Sequence, residues 1–459
     1  MTTSRKLTLL GSAFGLVCLV LVAVLIRKPP MPMLDHVVLT HDAEGHNLTN
    51  VNAWSADSQW IVFDTRSDKE GTPFDGDTIK AVHVETGEVR TLYTSQNGAK
   101  CGVATWHPTL NEVIFILGPE NPTPEYSYGF SKRRGVIVGF DKPGVLRPLD
   151  ARNLVAPFTP GALRGGSHVH VGSGDRISFT YDDDVLRPEL NQRNVAVCFP
   201  KPVTVPKTHD RNHDGDYFSV VVTRTVQQPK DGSDDISKAF EEGWIGNAGY
   251  LKPDGTRQRW ALAFQGHVNV AGQPVPEVFI VDLPDELTQP GDAPLEGTQT
   301  TRPTPSKGTT QRRLTYTTHQ KYPGLQGPRH WLRSAPDGSA IAYLRKDPQG
   351  IVQLFTISPN GGDPKQITNN QHSISSAFTW HPGGQHLAFV MDRSVCVADV
   401  STGITTRITE RRTDEESSPR ADACVVSPDG TKIAFVRRLA HADGGEFNQV
   451  CVVPFPPVK

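Results

Sequence analysis

Short runs in which hydrophobic and polar residues alternate occur along most of the chain and predict many short β-strands. Several of these runs follow one shared turn motif. The copies span residues 54–63, 106–115, 334–343, 380–389 and 426–435, and the fullest reads Val-Ser-Pro-Asp-Gly-Thr-Lys-Ile-Ala-Phe. Proline presets a turn dihedral, aspartate bonds its own backbone, and glycine accepts positive φ. Each copy therefore predicts strand, tight turn and strand.

A second element recurs downstream of the turn, where strands end in Leu-Thr or Ile-Thr at 314–315, 367–368 and 408–409. With the strand before it, each repeat holds four strands, which is typical of a β-propeller blade. Shortened copies of the turn near 171 and 211 bring the count to seven blades. Six blades is the alternative, because the copy at 211 is the weakest. The fold class is all-β.

The last repeat ends after its third strand, whereas residues 37–40 read Val-Val-Leu-Thr, like a fourth strand. We therefore expect the N- and C-terminal strands to pair and close the ring, which removes exposed sheet edges. The propeller is predicted over residues 36–459.

The N-terminus has a different pattern. Residues 7–26 are uncharged and largely apolar, with basic residues on both sides, and about 20 residues span the hydrocarbon core of a bilayer. We predict a membrane anchor or signal over 1–28, a Pro-rich linker over 29–35, and a periplasmic or otherwise extracytoplasmic propeller. An uncleaved anchor is favoured over a cleaved signal, because the run lacks a good cleavage site.

Composition agrees with this organisation and excludes one class of partner. Glycine (41) and proline (37) are frequent, as many turns require. Residues 1–28 hold four basic and no acidic residues, so the net charge of −2 for the chain becomes −6 for the rest. A mildly acidic body argues against binding of nucleic acid.

Long connections are expected on one face of the ring, at 65–77, 118–133, 182–193 and 226–273, and loops on a rigid scaffold commonly carry binding sites. Residues 287–313 hold many threonines and prolines without periodicity, and we expect a disordered insertion there.

Histidines cluster where first strands begin on that face and could converge on one transition-metal ion, for which imidazole is a suitable ligand. His168 and His170 are two residues apart and should point to one strand face. His209 and His330 enter other blades. The alternative is that these histidines only cap strands or bond loops. Arg133, Arg152, Arg164 and Arg329 could bind carboxylates or phosphates. Tyr126, Tyr128 and Phe130 could stack on a sugar.

The repeated Ser-Pro-Asp-Gly turns and terminal Leu-Thr strands resemble TolB-like β-propellers, over nearly the whole chain after the anchor. Segments 41–67 and 121–170 resemble a bacterial TolB-like family without an established activity. The chain is also distantly similar to oligogalacturonate lyases, which are seven-bladed propellers that bind a divalent metal. That resemblance implies His168, His170 and His330 as ligands of a divalent metal, manganese by preference, with Gln326 or His209 completing the set. In such a lyase an arginine or histidine would abstract the proton, and Arg164 and His209 are the candidate catalytic residues.

Two functions follow as hypotheses. The first is a membrane-anchored propeller that binds a ligand or protein partner on its loop-rich face, with Arg152, Arg329, Tyr126 and Tyr128 as ligand-binding residues. The second is a metal-dependent lyase that acts on acidic saccharides.

Overall fold

The computed structural model describes residues 33–67, 71, 73–187, 192–415, 417–442 and 444–457, and the regular structure among them is all β. The predicted anchor at 1–28, with its membrane segment at 7–26, lies outside these residues, as does most of the linker at 29–35. Within the described ranges there is no helix of the length and apolar character needed to cross a membrane.

Seven four-stranded antiparallel sheets follow one another as blades, which confirms the seven-bladed prediction. The first strand of the chain, β1 (Val37–Val38), belongs to the last blade. Blade one contains β2 (Gly45–Asn47), β3 (Trp60–Arg66), β4 (Thr78–His83) and β5 (Val89–Thr94). Blade two contains β6 (Cys101–Trp106), β7 (Glu112–Leu117), β8 (Arg134–Gly139) and β9 (Lys142–Pro148). A small parallel pair follows, formed by β10 (Ala151–Arg152) and β11 (Ala162–Leu163).

The two largest blades come next. Blade three contains β12 (Gly165–Ser173), β13 (Arg176–Asp183), β14 (Asn194–Val203) and β15 (Gly215–Val221). Blade four contains β16 (Ala239–Trp244), β19 (Trp260–Val270), β20 (Gln273–Leu283) and β21 (Thr310–Arg313). Between its first two strands lies a hairpin of β17 (Tyr250–Leu251) and β18 (Arg257–Gln258).

The last three blades are more regular. Blade five contains β22 (Arg333–Ser334), β23 (Ile341–Lys346), β24 (Val352–Ile357) and β25 (Lys365–Gln366). Blade six contains β26 (Thr379–Trp380), β27 (His386–Met391), β28 (Ser394–Asp399) and β29 (Thr405–Arg407). Blade seven contains β30 (Pro419–Val426), β31 (Lys432–Ala440) and β32 (Glu446–Pro454), and β1 completes it. Val37 pairs with Val452, so the N-terminal strand closes the ring as predicted.

The count of seven is right, but the turn copy at 211 does not begin blade four. It leads into β15, the outer strand of blade three. The true first strand of blade four, β16, lies inside the stretch 226–273 that the sequence analysis takes for a loop. A thirteen-residue insertion with its own hairpin, at 246–258, replaces the usual short turn there and hides the repeat.

Residues 287–313 are ordered, which corrects the expected disordered insertion. Leu287 and Leu295 are buried in the core of blades three and four, and Pro290 forms a bridge with Ser306. Its last four residues form β21, and the part before β21 is irregular, with side-chain hydrogen bonds and two apolar anchors in place of a strand ladder. It therefore carries no periodic signal.

The innermost strands of blades two, three and four share a bulge. Val103, Val169 and Glu241 have φ of 59°, 53° and 55°, and the strand pairing shifts register at each of them. Positive φ is rare for β-branched residues. Beside these bulges an apolar cluster crosses the central channel. Its members are Val51, Val103, Val169, Val171, Trp244 and Trp331. Three of its members, Val103, Val169 and Trp331, form the floor of the cavity described below.

Candidate functional site

A cavity of about 720 Å³ opens at the loop-rich face, where the innermost strands begin. It is lined by connections of blades one to three, by residues from the innermost strands of several blades and by residues just before β22. Basic side chains dominate the charged part of its lining. They are Arg66, Arg133, Arg193, Lys238 and Arg329, against the acidic Glu241 and Asp422. Aromatic rings form much of the remainder, from Phe74, Tyr128, Phe130, Phe240 and Trp331.

Three of the guanidinium groups have carboxylate partners. The pairs are Arg66–Asp64 at 2.5 Å, Arg193–Asp182 at 3.1 Å and Arg329–Glu241 at 2.7 Å. These pairs fix the walls of the cavity and neutralise part of its charge. They leave Arg133 and Lys238 as the cationic groups for which no ion pair occurs among the described residues.

Arg133 is the most unusual of these residues, because its side chain is 2% exposed. Its Nη1 donates a hydrogen bond to the Tyr128 hydroxyl at 3.3 Å. Within the described residues its Nε and Nη2 have no hydrogen-bond partner, although both are buried. Burial, with the nearby Arg193, lowers the pKa of Arg133. A buried cation with unused donors is costly unless an acceptor arrives.

His168 lies beside Arg329 on the same cavity wall. Its Nε2 is 3.4 Å from Arg329 Nη2, and since arginine only donates, the imidazole must be the acceptor. The imidazole is therefore neutral, in agreement with a pKa held well below its usual value by burial and by Arg133, Arg329 and Arg193. Of the four predicted metal ligands, His168 is the one that lines the cavity.

His170 does not share the environment of His168, which corrects the expectation that both point to one strand face. The bulge at Val169 shifts the alternation by one residue. His170 packs between blades two and three, with Nε2 3.1 Å from Ser167 Oγ. A Cβ on Gly135 would lie 2.6 Å from that Nε2, so the ring fills its space completely. Burial, with Arg133 nearby, lowers the pKa of His170 to about 3.

The side chains of His330 and Gln326 also form hydrogen bonds within the fold. The Nδ1 of His330 is 2.9 Å from the Pro328 carbonyl, and its Nε2 accepts the Leu344 amide at 3.1 Å. The Gln326 amide donates to the Pro323 carbonyl at 2.9 Å. The structure thus does not bring His168, His170, His330 and Gln326 together, and this set does not fit the manganese centre that the resemblance implies.

Neither of the two predicted catalytic residues lines the cavity. Arg164 is 1% exposed and pairs with the fully buried Asp183 at 2.8 Å. Its guanidinium also donates to the carbonyls of Thr298 and Thr301, which anchors the ordered segment 287–313 to blade three. His209 lies exposed in the connection between β14 and β15, where its Nδ1 accepts the Arg211 amide. It does not enter blade four, because the copy at 211 belongs to blade three.

The predicted ligand-binding residues divide into two pairs. Arg152 and Tyr126 touch each other at 3.0 Å, and Arg152 also donates to the carbonyls of Lys132 and Arg133. This pair supports the base of the 118–133 connection. Tyr128 and Arg329 do line the cavity. The Tyr128 ring stacks on Phe74 at 4.7 Å, which joins the connections of blades one and two.

A second group with the chemistry of a cation site lies at the entrance to blade one. Single ligand atoms of Asp42, Glu44 and His46 lie within 4.8 Å of one another. Lys80 already pairs with both carboxylates, at 3.5 Å and 2.6 Å, and His46 Nδ1 is 2.8 Å from Thr40 Oγ1. Lys80 therefore already neutralises the two carboxylates, although the buried His46 Nε2 has no hydrogen-bond partner among the described residues.

Sequence reasoning missed several cavity residues. Lys238 and Glu241 were hidden in the supposed loop 226–273, although the recognition of β16 would place them at the start of an inner strand. Arg193 closes a loop already expected to be functional. Asp422 lies within β30, the innermost strand of blade seven, and carries no local signal.

The fold and the cavity together define a seven-bladed β-propeller with a cation-rich, aromatic-walled site at its centre. The chain belongs to the same family as the "Uncharacterized protein YidR" of Escherichia coli (strain K12), to which it is 47% identical over 409 residues, covering 87% of this chain and 94% of that protein. A family model described as "Protein of unknown function (DUF3748)" matches residues 100–213, which include the Arg133 and His168 walls.

Among solved structures, an oligogalacturonate lyase in complex with manganese matches with a TM-score of 0.53 and 10% identity, over 93% of this chain and 97% of that one. TolB from Acinetobacter baumannii gives a TM-score of 0.33 at 15% identity, over 90% and 86%. The likeness to the lyase shows a shared propeller fold.

Proposed function

We propose that this protein is a binding propeller that holds an acidic saccharide, or a similar carboxylated compound, in the central cavity of its loop-rich face. The observation that carries this proposal is the buried Arg133 guanidinium, which has unused donors and no ion pair among the described residues. Lys238 adds a second unneutralised charge, and the rings of Tyr128 and Trp331 offer surfaces on which a sugar can stack.

The lyase hypothesis receives less support. The predicted metal ligands make separate hydrogen bonds within the fold and do not converge on one point. Of the predicted catalytic residues, Arg164 pairs with Asp183, and His209 lies exposed outside the cavity. A likeness in fold says nothing about chemistry, since one propeller scaffold hosts many functions. Binding without catalysis needs only the cavity that is present.

Isothermal titration of the full chain with trigalacturonate tests the proposal. We expect Lys238→Met to weaken binding by roughly tenfold or more, as loss of a charge-assisted contact does. Binding should weaken as salt rises. Lys207→Met is the matched control, because Lys207 pairs with Asp214 outside the cavity. Equal binding of neutral maltotriose, or equal losses in both variants, would contradict the proposal.

We further propose that residues 7–26 anchor the protein in a membrane, with the propeller outside the cytoplasm. The support is the apolar run and its basic flanks. The protein should stay in the membrane pellet after alkaline carbonate extraction, and protease added to spheroplasts should degrade the propeller. Release of the protein into the supernatant would refute the membrane anchor. Protection of the propeller from protease would refute its location outside the cytoplasm.

A further inference from the structure

The aromatic ring of Phe130 lies among three arginines. Its centroid is 4.7 Å from the Arg133 guanidinium carbon, 5.5 Å from that of Arg187 and 5.3 Å from that of Arg193. A phenyl face attracts cations, but it accepts no conventional hydrogen bond. The ring therefore offsets only part of the cost of burying the Arg133 charge. It leaves Arg133 Nε and Nη2 without a hydrogen-bond acceptor among the described residues.

These unused donors are buried, and the Phe130 ring lies over the guanidinium group that carries them. Phe130 is 47% exposed, so about half of the residue is free of contact with the rest of the protein. It also lines two cavities, the central one and a neighbouring space of about 610 Å³ that Tyr128 and Arg187 share. A rotation of the side chain thus has free volume on both sides.

The backbone beneath the ring is fixed. A Cβ on Gly166 would lie 2.1 Å from the Phe130 carbonyl oxygen, so the two chains pack in direct contact. Ser131 Oγ donates to Asp184 at 2.5 Å, and Arg152 holds the carbonyls of Lys132 and Arg133. Motion at this point is therefore confined to the phenyl side chain.

We infer that Phe130 is a displaceable cover over a buried oxyanion subsite, in which Arg133, with Arg187 and Arg193 beside it, binds a carboxylate, phosphate or sulfate group once the ring has moved away. This inference rests on the proposed function and specifies how the acidic group of the ligand is held. It assigns Phe130 a role opposite to that of a stacking platform, because its ring competes with the ligand.

The test is titration of the full chain with inorganic phosphate and, separately, with D-galacturonate. Phe130→Ala should bind the probe roughly tenfold more tightly than the wild type, since cation–π contacts no longer compete. The gain should vanish in Phe130→Ala/Arg133→Met. Phe240→Ala, which removes a ring of the same cavity that packs on His267, should show no gain. The tighter-bound probe identifies the oxyanion as phosphate-like or carboxylate-like.

The sign of the effect decides the matter. Weaker binding in Phe130→Ala would show that the ring is a stacking platform and would overturn its role as a cover. Unchanged binding would also overturn that role. If the tighter binding of Phe130→Ala persisted in Phe130→Ala/Arg133→Met, the proposed oxyanion subsite at Arg133 would be overturned. Trigalacturonate binding to the wild type is measured separately, so failure of the proposed function is recognised independently of the phosphate result.

Discussion

Replacement of Arg164 by methionine is expected to lower the free energy of unfolding by about 3–5 kcal/mol, the cost of leaving one charge of a buried ion pair without its partner. Arg164 and Asp183 are 1% and 0% exposed and lie 2.8 Å apart. Methionine fills much of the volume, so the loss reports the charge and the hydrogen bonds rather than a cavity. Urea unfolding of the variant and the wild type measures the difference.

Two further variants make this result specific. Arg147→Met removes a guanidinium that pairs with Glu112 and Asp216 at the surface, and it should cost less than about 1 kcal/mol. Arg164→Met/Asp183→Asn removes both buried charges and should recover part of the lost stability. Affinity of folded Arg164→Met for trigalacturonate should equal that of the wild type. A large loss of affinity at unchanged stability would return Arg164 to the binding site.

The contrast between Arg164 and Arg133 shows where sequence reasoning reaches its limit. Both are arginines at the edge of a predicted strand on the loop-rich face, and nothing in their local sequence separates them. Arg164 is neutralised by Asp183, whereas Arg133 faces Phe130. The difference depends on which side chains the folded blades bring next to each arginine. Such tertiary contacts cannot be inferred from the local sequence.

Repeats, by contrast, are local signals, and they predicted most of the fold. The turn copies placed five of the blades directly, and the Leu-Thr ending of residues 37–40 predicted ring closure. The structure does not place the predicted histidines in one environment, and for His168 and His170 the physical reason is one that the sequence does not record. A bulge at Val169 breaks the period-two rule between His168 and His170, so residues that alternate in sequence do not share a strand face.

A glutamate behind the cavity floor gives the second large effect. Glu242 is fully buried in β16, and its Oε2 accepts the Thr180 hydroxyl at 3.0 Å. Among the described residues its Oε1 has no hydrogen-bond partner. Burial raises the pKa of Glu242 from 4.5 to about 7, despite the hydrogen bonds to it. The folded state therefore favours the protonated acid more than the unfolded chain does.

The sign of the pH dependence follows from this order of pKa values. Between pH 4.5 and about 7 the folded state binds a proton that the unfolded chain has released, so stability falls as pH rises through that window. Glu242→Gln, which cannot ionise, should escape this loss. The stability of the variant relative to the wild type should rise by about 3 kcal/mol across the window, the equivalent of the pKa difference. Urea unfolding at a series of pH values measures it.

Glu277 is the matched control, because it is equally buried but fully bonded. Its carboxylate accepts from Arg313 Nη2 at 3.1 Å, the Thr317 amide at 2.7 Å and the Thr317 hydroxyl at 2.8 Å. Glu277→Gln should therefore destabilise the protein above pH 7, where Glu242→Gln stabilises it, since it leaves the buried Arg313 with a weaker partner. If both variants changed stability in the same direction, burial alone would govern the two sites. Opposite signs would show that the partners of a buried glutamate, and not its burial alone, determine how the protein responds to its replacement by glutamine.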